Sequence, residues 1–124
     1  MRLENLPPLR LALDEAGLAA RKTFGQHFLL DLNITRKIVR LADLLEGQTV
    51  IEVGPGPGGL TRALLEAGAR VLAIEKDPRF LPLLGVIAEA AEGRLKVIEG
   101  DATTANIQTL LAEAGWTGPT AIVA

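Results

Sequence analysis

Cysteine is absent from the chain, and histidine occurs once, as His27. No cysteine means no disulfide framework, no zinc–thiolate site and no thiol nucleophile. A single histidine excludes a multi-histidine cluster, so no metal site is expected. Aromatic residues are scarce (Phe24, Phe28, Phe80 and Trp116), which leaves the core to aliphatic side chains. No apolar run approaches the roughly 20 residues that a membrane span needs. The opening Met-Arg-Leu-Glu-Asn-Leu-Pro-Pro lacks the apolar stretch and small-residue cleavage site of a secretory signal. A cytoplasmic protein without a membrane partner is expected.

What is present suits one globular domain or part of one: 124 residues, 48% hydrophobic, with a formal charge of -2. Such a composition argues against disorder. The charge is unevenly spread. Residues 21–40 carry Arg21, Lys22, Arg36, Lys37 and Arg40 against the single acid Asp31, whereas residues 41–124 are strongly acidic. A basic patch of this kind fits nucleic-acid phosphate. It also fits an ordinary solvated helix face.

The periodicities predict a helix over residues 3–20, with Leu11, Leu13, Ala16, Leu18 and Ala19 broadly on one side, Pro7-Pro8 before its regular part and Gly17 weakening its end, then a loop over 21–31. A second helix starts at Asp31 or Asn33, with Ile34, Ile38, Leu41, Ala42 and Leu45 at helical spacing and Gly47 as its stop. Four short β-rich runs succeed it, at 49–53, 70–75, 95–99 and 120–124. Helices are predicted between them at 60–67, from Asp77-Pro78 to about 92, and at 106–114. Asp77 serves as a helix cap and Pro78 sits in the first turn, while Pro82 delays or bends that helix. Alternating strands and helices of this length imply an α/β fold, a doubly wound parallel sheet. In such a sheet the ligand lies at the carboxyl ends of the strands. The residues there are Glu52 to Gly59, Glu75, and Gly100-Asp101.

Gly54, Gly56 and Gly59 satisfy Gly-x-Gly-x-x-Gly, and Glu75 lies 21 positions after Gly54. By spacing alone this is also the dinucleotide fingerprint, with an acid for a ribose hydroxyl pair. Charge separates the candidates. A pyrophosphate needs free N–H groups and no carboxylate nearby. Here Pro55 and Pro57 remove two N–H donors, and Glu52, Glu75 and Asp101 ring the site. S-adenosylmethionine, with a sulfonium, an ammonium and no phosphate, suits that ring better than NAD.

Four stretches in order, Lys22-Thr-Phe-Gly-Gln-His-Phe-Leu29, Ile51-Glu-Val-Gly-Pro-Gly-Pro-Gly-Gly-Leu-Thr61, Ile74-Glu75 and Glu99-Gly-Asp-Ala102, resemble the ribosomal small-subunit RNA adenine dimethyltransferases. The glycine turn is shared by all class I, Rossmann-like methyltransferases, whereas Phe-Gly-Gln-His-Phe-Leu is the specific element. The resemblance implies S-adenosylmethionine as methyl donor and small-subunit rRNA as substrate during ribosome biogenesis. Carried over by position, His27 and Leu29 would line the methionine side of the cofactor, Gly54 would meet it by backbone, Glu75 would bind the ribose and Asp101 the adenine amine. Gln26, Gly56, Lys76 and Ala102 are further candidates. Many relatives have Asn at the position of His27, and an apolar residue at that of Lys76. Arg21, Lys22, Arg36, Lys37 and Arg40 would meet RNA phosphate, positioning rather than specifying.

Relatives continue after the fourth strand with Asn-Leu-Pro-Tyr, which would fall after Ala124, and with a small helical RNA-binding domain. The chain is therefore expected to be an N-terminal part: a helical extension over 1–23 and the first half of a cofactor-binding domain over 24–124. Without a catalytic residue of its own, it is expected to be inactive alone. Three alternatives stay open. One is a large-subunit rRNA adenine methyltransferase of the antibiotic-resistance type. Another is an NAD-dependent oxidoreductase. The third is a non-enzymatic transcription-factor relative.

Overall fold

β1 (Thr49–Val53), β2 (Arg70–Glu75), β3 (Leu95–Glu99) and β4 (Thr120–Val123) pair in parallel in the order β3-β2-β1-β4 in a computed structural model, which describes residues 2–18 and 30–123. The strand bounds are those the apolar runs predict, apart from Ala124, which lies outside the described residues. The chain leaves β1 for β2 and β3, then returns to pair β4 with the other side of β1. This reversal at β1 marks where an open parallel sheet forms its ligand crevice.

Helices cover both faces. α3 (Gly59–Glu66) and α4 (Leu81–Ala90) pack on the face that carries Val50, Val71, Ala73 and Leu95, and contribute Ala63, Leu64, Leu65, Leu84 and Ile87 to that core. On the other face Ile51, Leu72 and Ile74 meet Ile107, Leu110 and Leu111 of α5 (Ile107–Ala114), together with Trp116. β1 and β2 are buried on both sides, which is why they read as nearly unbroken apolar runs. β4, at the sheet's edge, alternates exposed and half-buried. Arg70 ties the opposite, amino-terminal end of the sheet. Its Nη2 donates to Thr49 Oγ1 at 2.9 Å and to the Thr117 carbonyl at 3.1 Å, and its guanidinium lies over Trp116.

Two helices differ from the expectation. The stretch expected as helical over 3–20 is a 3-10 turn at Leu3–Asn5 and then α1 (Leu9–Glu15), whose regular part starts directly after Pro7-Pro8 as expected and ends before Gly17. That start sets the buried face as Leu9, Ala12 and Leu13, so Leu11 turns outward. α2 (Leu32–Ala42) begins as expected, with Asp31 Oδ1 accepting from Asn33 N at 2.8 Å. It ends earlier than Gly47, because Asp43 adopts a left-handed conformation with φ 51°. α2 packs against α3 and buries Thr35 and Val39, so the predicted stripe of Ile38, Leu41 and Leu45 is exposed. Pro78–Phe80 forms a 3-10 turn capped by Asp77, and α4 starts only at Leu81, with Pro82 in its first turn. The boundary expected at 23/24 lies outside the described residues.

Gly58 joins the turn after β1 to this core. It has φ +94°, and a Cβ there would overlap Ile87 Cδ1 of α4 and sit 3.3 Å from Leu84 Cδ2. Only glycine permits both the conformation and the approach. Gly58→Ala is expected to cost about 1–3 kcal/mol of stability, measured by urea unfolding. Measured in an Ile87→Ala background, Gly58→Ala should cost less than in the parent but still more than zero, because the overlap is gone and the backbone strain remains. An unchanged unfolding midpoint for Gly58→Ala would contradict this packing.

Candidate functional site

The parallel register brings the carboxyl ends of three strands into one row. Val53 pairs with Ile74 and Glu75 with Glu99. Adjacent strands lie roughly 4.8 Å apart. The glycine turn after β1, Glu75 at the end of β2 and Asp101 just past β3 therefore span about 10 Å of a single edge. The structure brings these sequence-predicted residues together in the order Gly54, Glu75, Asp101.

The glycine turn has few N–H groups to offer a ligand. Gly54 N extends the β ladder to the Ile74 carbonyl at 2.9 Å, and Gly58 N closes on the Pro55 carbonyl at 3.0 Å. Gly56 N donates to Glu75 Oε1 at 2.8 Å. Pro55 and Pro57 have no N–H to give. Gly54 and Gly56 have positive φ values of 69° and 55°, and a Cβ on either would meet nothing within 4 Å. Open space lies over a backbone whose donors are already engaged. Gly54 and Gly56 thus accommodate a close ligand, and their own N–H groups are not free for a phosphate.

Glu75 is buried, and each of its oxygens accepts one backbone N–H: Oε1 from Gly56 and Oε2 from Asp77, at 2.9 Å for the latter. One carboxylate thus fixes the turn after β1 against the turn after β2. A carboxylate oxygen can accept more than one hydrogen bond, so acceptor capacity is left for hydroxyl donors. Asp101 is exposed. Its Oδ1 accepts from Thr103 N at 2.9 Å and from Thr103 Oγ1 at 2.7 Å. These bonds hold its carboxyl below the usual range, and the charge of exposed Lys76 helps. Ala102 packs under the edge against the Ile51, Leu72 and Ile74 cluster.

Glu52 is the acid that spacing alone places least well. It points from β1 into the face covered by α3, is 3% exposed, and accepts from Thr61 Oγ1 at 2.5 Å. Burial pushes its carboxyl up to about 7; the Thr61 bond works against that shift and the charge of Glu75 adds to it. Sequence spacing does not single out Thr61 as a partner. The available signal is a hydroxyl in the first turn of the helix after an acid-ending strand.

Gln26, His27, Leu29, Arg21 and Lys22 lie outside the described residues. Arg36 is held by Glu66, with Nε at 2.7 Å and Nη2 at 3.0 Å from its two carboxylate oxygens. Lys37 and Arg40 are exposed on α2.

The raised Glu52 value sets a pH dependence. Between its ordinary value of 4.5 and about 7, the folded protein keeps a proton that the unfolded chain has lost. Stability should therefore fall as pH rises through that window, by up to about 3 kcal/mol, and level off above it. Glu52→Gln should match the parent at pH 4.5 and exceed it at pH 8 in urea unfolding. Equal stability at both values would show that Glu52 ionises normally.

The description "Ribosomal RNA adenine dimethylase" fits a family model that matches residues 17–120. A ribosomal RNA small subunit methyltransferase A from Phenylobacterium zucineum is 65% identical over 112 residues, which is 90% of this chain and 39% of that protein. The chain spans about two fifths of the length of the curated relatives it matches over most of its own length. Among solved structures, a dimethyladenosine transferase from Plasmodium falciparum is 31% identical with a TM-score of 0.53, covering 60% of this chain and 28% of that one. The 23S rRNA methyltransferase ErmE is 34% identical with a TM-score of 0.53, covering 60% of this chain and 30% of that one. With strand ends, glycine turn and acids in this order, the chain belongs to the ribosomal RNA adenine dimethylase family.

Proposed function

We propose that the protein is an S-adenosylmethionine-dependent rRNA adenine dimethyltransferase acting on small-subunit rRNA, and that the described residues form its cofactor-binding half. The observation that carries the cofactor assignment is the acidic edge, Glu75 and Asp101, beside a glycine turn in which the N–H groups of Gly54, Gly56 and Gly58 are engaged. In this reading Glu75 takes the ribose hydroxyls, Asp101 the adenine amine, and Gly54 and Gly56 let the cofactor lie against the backbone. Gln26, His27 and Leu29 would close the methionine side, with Lys76 and Ala102 beside the adenine.

S-adenosylmethionine supplies a methyl group activated by its sulfonium. The protein's part is to orient that group and to shield it from water. The acceptor amine of adenine is a weak nucleophile, so alignment and hydrogen-bond acceptors matter more than a strong base. The family resemblance gives that acceptor role to an Asn-Leu-Pro-Tyr motif, which is not present in residues 1–124. These residues alone should therefore bind cofactor without methylating RNA. Small-subunit specificity is favoured over the large-subunit alternative by the 65% identity over 90% of the chain to a small-subunit methyltransferase, against 34% over 60% to ErmE.

Glu75→Gln keeps one acceptor and removes the charge. It is expected to weaken S-adenosylmethionine binding about 10–100-fold, as loss of a charged hydrogen-bond partner does. Asp101→Ala should weaken it about fivefold, since its site is exposed. Calorimetric titration reads both, with thermal melts to confirm folding. Folded variants that bind like the parent would overturn the site assignment.

Of the basic residues of the 21–40 segment that are described, Lys37 and Arg40 are exposed and better able to reach RNA phosphate than Arg36, which is held by Glu66. Lys37→Gln/Arg40→Gln should lower rRNA affinity and reduce the slope of its salt dependence by roughly one per lost contact. An unchanged slope would dismiss them.

A further inference from the structure

We propose that Arg62 is a positioning residue of the cofactor site, whose buried guanidinium pins the N-terminal segment at Pro7 so that α1 holds the loop next to Glu75. This rests on the S-adenosylmethionine reading above and adds to it a residue that acts from behind the site.

Arg62 stands out by its environment. It lies in the first turn of α3, is 6% exposed, and forms no ion pair among the described residues. Glu66, one turn further on, gives both oxygens to Arg36. Arg62 Nη1 donates to the Pro7 carbonyl at 2.6 Å, and its Nε is enclosed without a partner. A buried cation of this kind is costly, and an apolar side chain of similar length would serve packing as well. What the guanidinium provides is a directed donor that reaches 55 positions back along the chain.

That donor fixes where α1 begins. With 7 residues, α1 is too short to be stable as an isolated helix. Its anchors are therefore tertiary. Leu3 shares a groove with Ala90 at the end of α4. Arg62 holds Pro7, and Leu9 and Leu13 form a cluster with Leu30 against which Phe80 and Leu83 pack. The segment thus runs along α4 from its end to its start, pinned midway by α3. Phe80 N in turn donates to the Asp77 carbonyl at 3.2 Å, and Asp77 N donates to Glu75 Oε2 at 2.9 Å. Arg62 also adjoins the glycine turn, with its own backbone N–H on the Gly58 carbonyl at 2.9 Å. One side chain therefore ties the turn after β1, through α1, to the turn after β2. These are the two loops that Glu75 joins from the inside.

The test is calorimetric titration with S-adenosylmethionine, together with amide NMR spectra of the ligand-free protein. Arg62→Met, similar in length but without donor or charge, is expected to weaken binding about tenfold and to shift the Asp77 and Gly56 resonances. The direction is diagnostic, because removing a positive charge would by itself favour a cationic ligand. Arg62→Lys keeps the charge and a donor for Pro7 and should recover most of the affinity. Phe80→Ala cuts the link between α1 and the Asp77 loop. In that background Arg62→Met should weaken binding by less than about twofold, since the two changes break one route, whereas separate structural effects would multiply. Parent-like affinity in Arg62→Met, unmoved Asp77 and Gly56 resonances, or effects that multiply with Phe80→Ala would overturn the proposal while leaving the cofactor reading intact. No binding by the parent would overturn both. Should Arg62→Met not fold, Leu9→Ala decides alone: it loosens α1 without touching Arg62, and unchanged affinity and resonances reject the proposal.

Discussion

The parallel ladder between β1 and β2 governs the rest of this molecule. Its register places Gly54 beside the end of β2, so the turn after β1 and the carboxylate of Glu75 meet. The bonds from Gly56 N and Asp77 N to one carboxylate then hold two loops together, although each would be weakly determined alone. A slip of one residue would send Glu75 to the opposite face of the sheet and leave both N–H groups without their acceptor. The aliphatic core beneath fixes that register, because Val71, Ala73 and Val50 must face α3 and α4 while Ile51, Leu72 and Ile74 face α5.

The same edge explains why a glycine pattern shared with dinucleotide-binding proteins leads to a different ligand here. In a phosphate-binding turn the backbone donors converge on the ligand. In this turn prolines remove two donors, and the N–H groups of Gly54, Gly56 and Gly58 serve the protein's own carbonyls and Glu75. Three acids lie along or just beneath the edge, in three different environments. Glu52 is buried with a hydroxyl, Glu75 is buried with two backbone donors, and Asp101 is exposed and stabilised by Thr103. Their placement makes the edge attractive to a cation and poor for a pyrophosphate.

Much of this is legible in the sequence. Short apolar runs bounded by Gly, Pro and Asp locate all four strands, because buried parallel strands leave few other readings. The row of Gly54, Glu75 and Asp101 comes from the position of each at a strand's end. The outer helices are less legible. α2 carries two apolar stripes, and periodicity cannot say which one faces α3; the structure chooses Thr35 and Val39 over Ile38 and Leu41. Likewise the left-handed Asp43 ends the helix before Gly47, which no spacing signals. Hydrogen bonds between distant residues, Glu52 to Thr61 and Gly56 to Glu75, depend on the assembled sheet and cannot be read from the chain in advance.

The most direct test tracks the glycine amides by heteronuclear NMR while S-adenosylmethionine and NAD are titrated in parallel. The account predicts that S-adenosylmethionine moves the Gly54 and Gly56 resonances together with Asp77, whose N–H shares the Glu75 carboxylate, and that NAD leaves them in place. Equal or larger shifts at those amides with NAD would contradict it, because the turn would then be donating its N–H groups to a pyrophosphate after all.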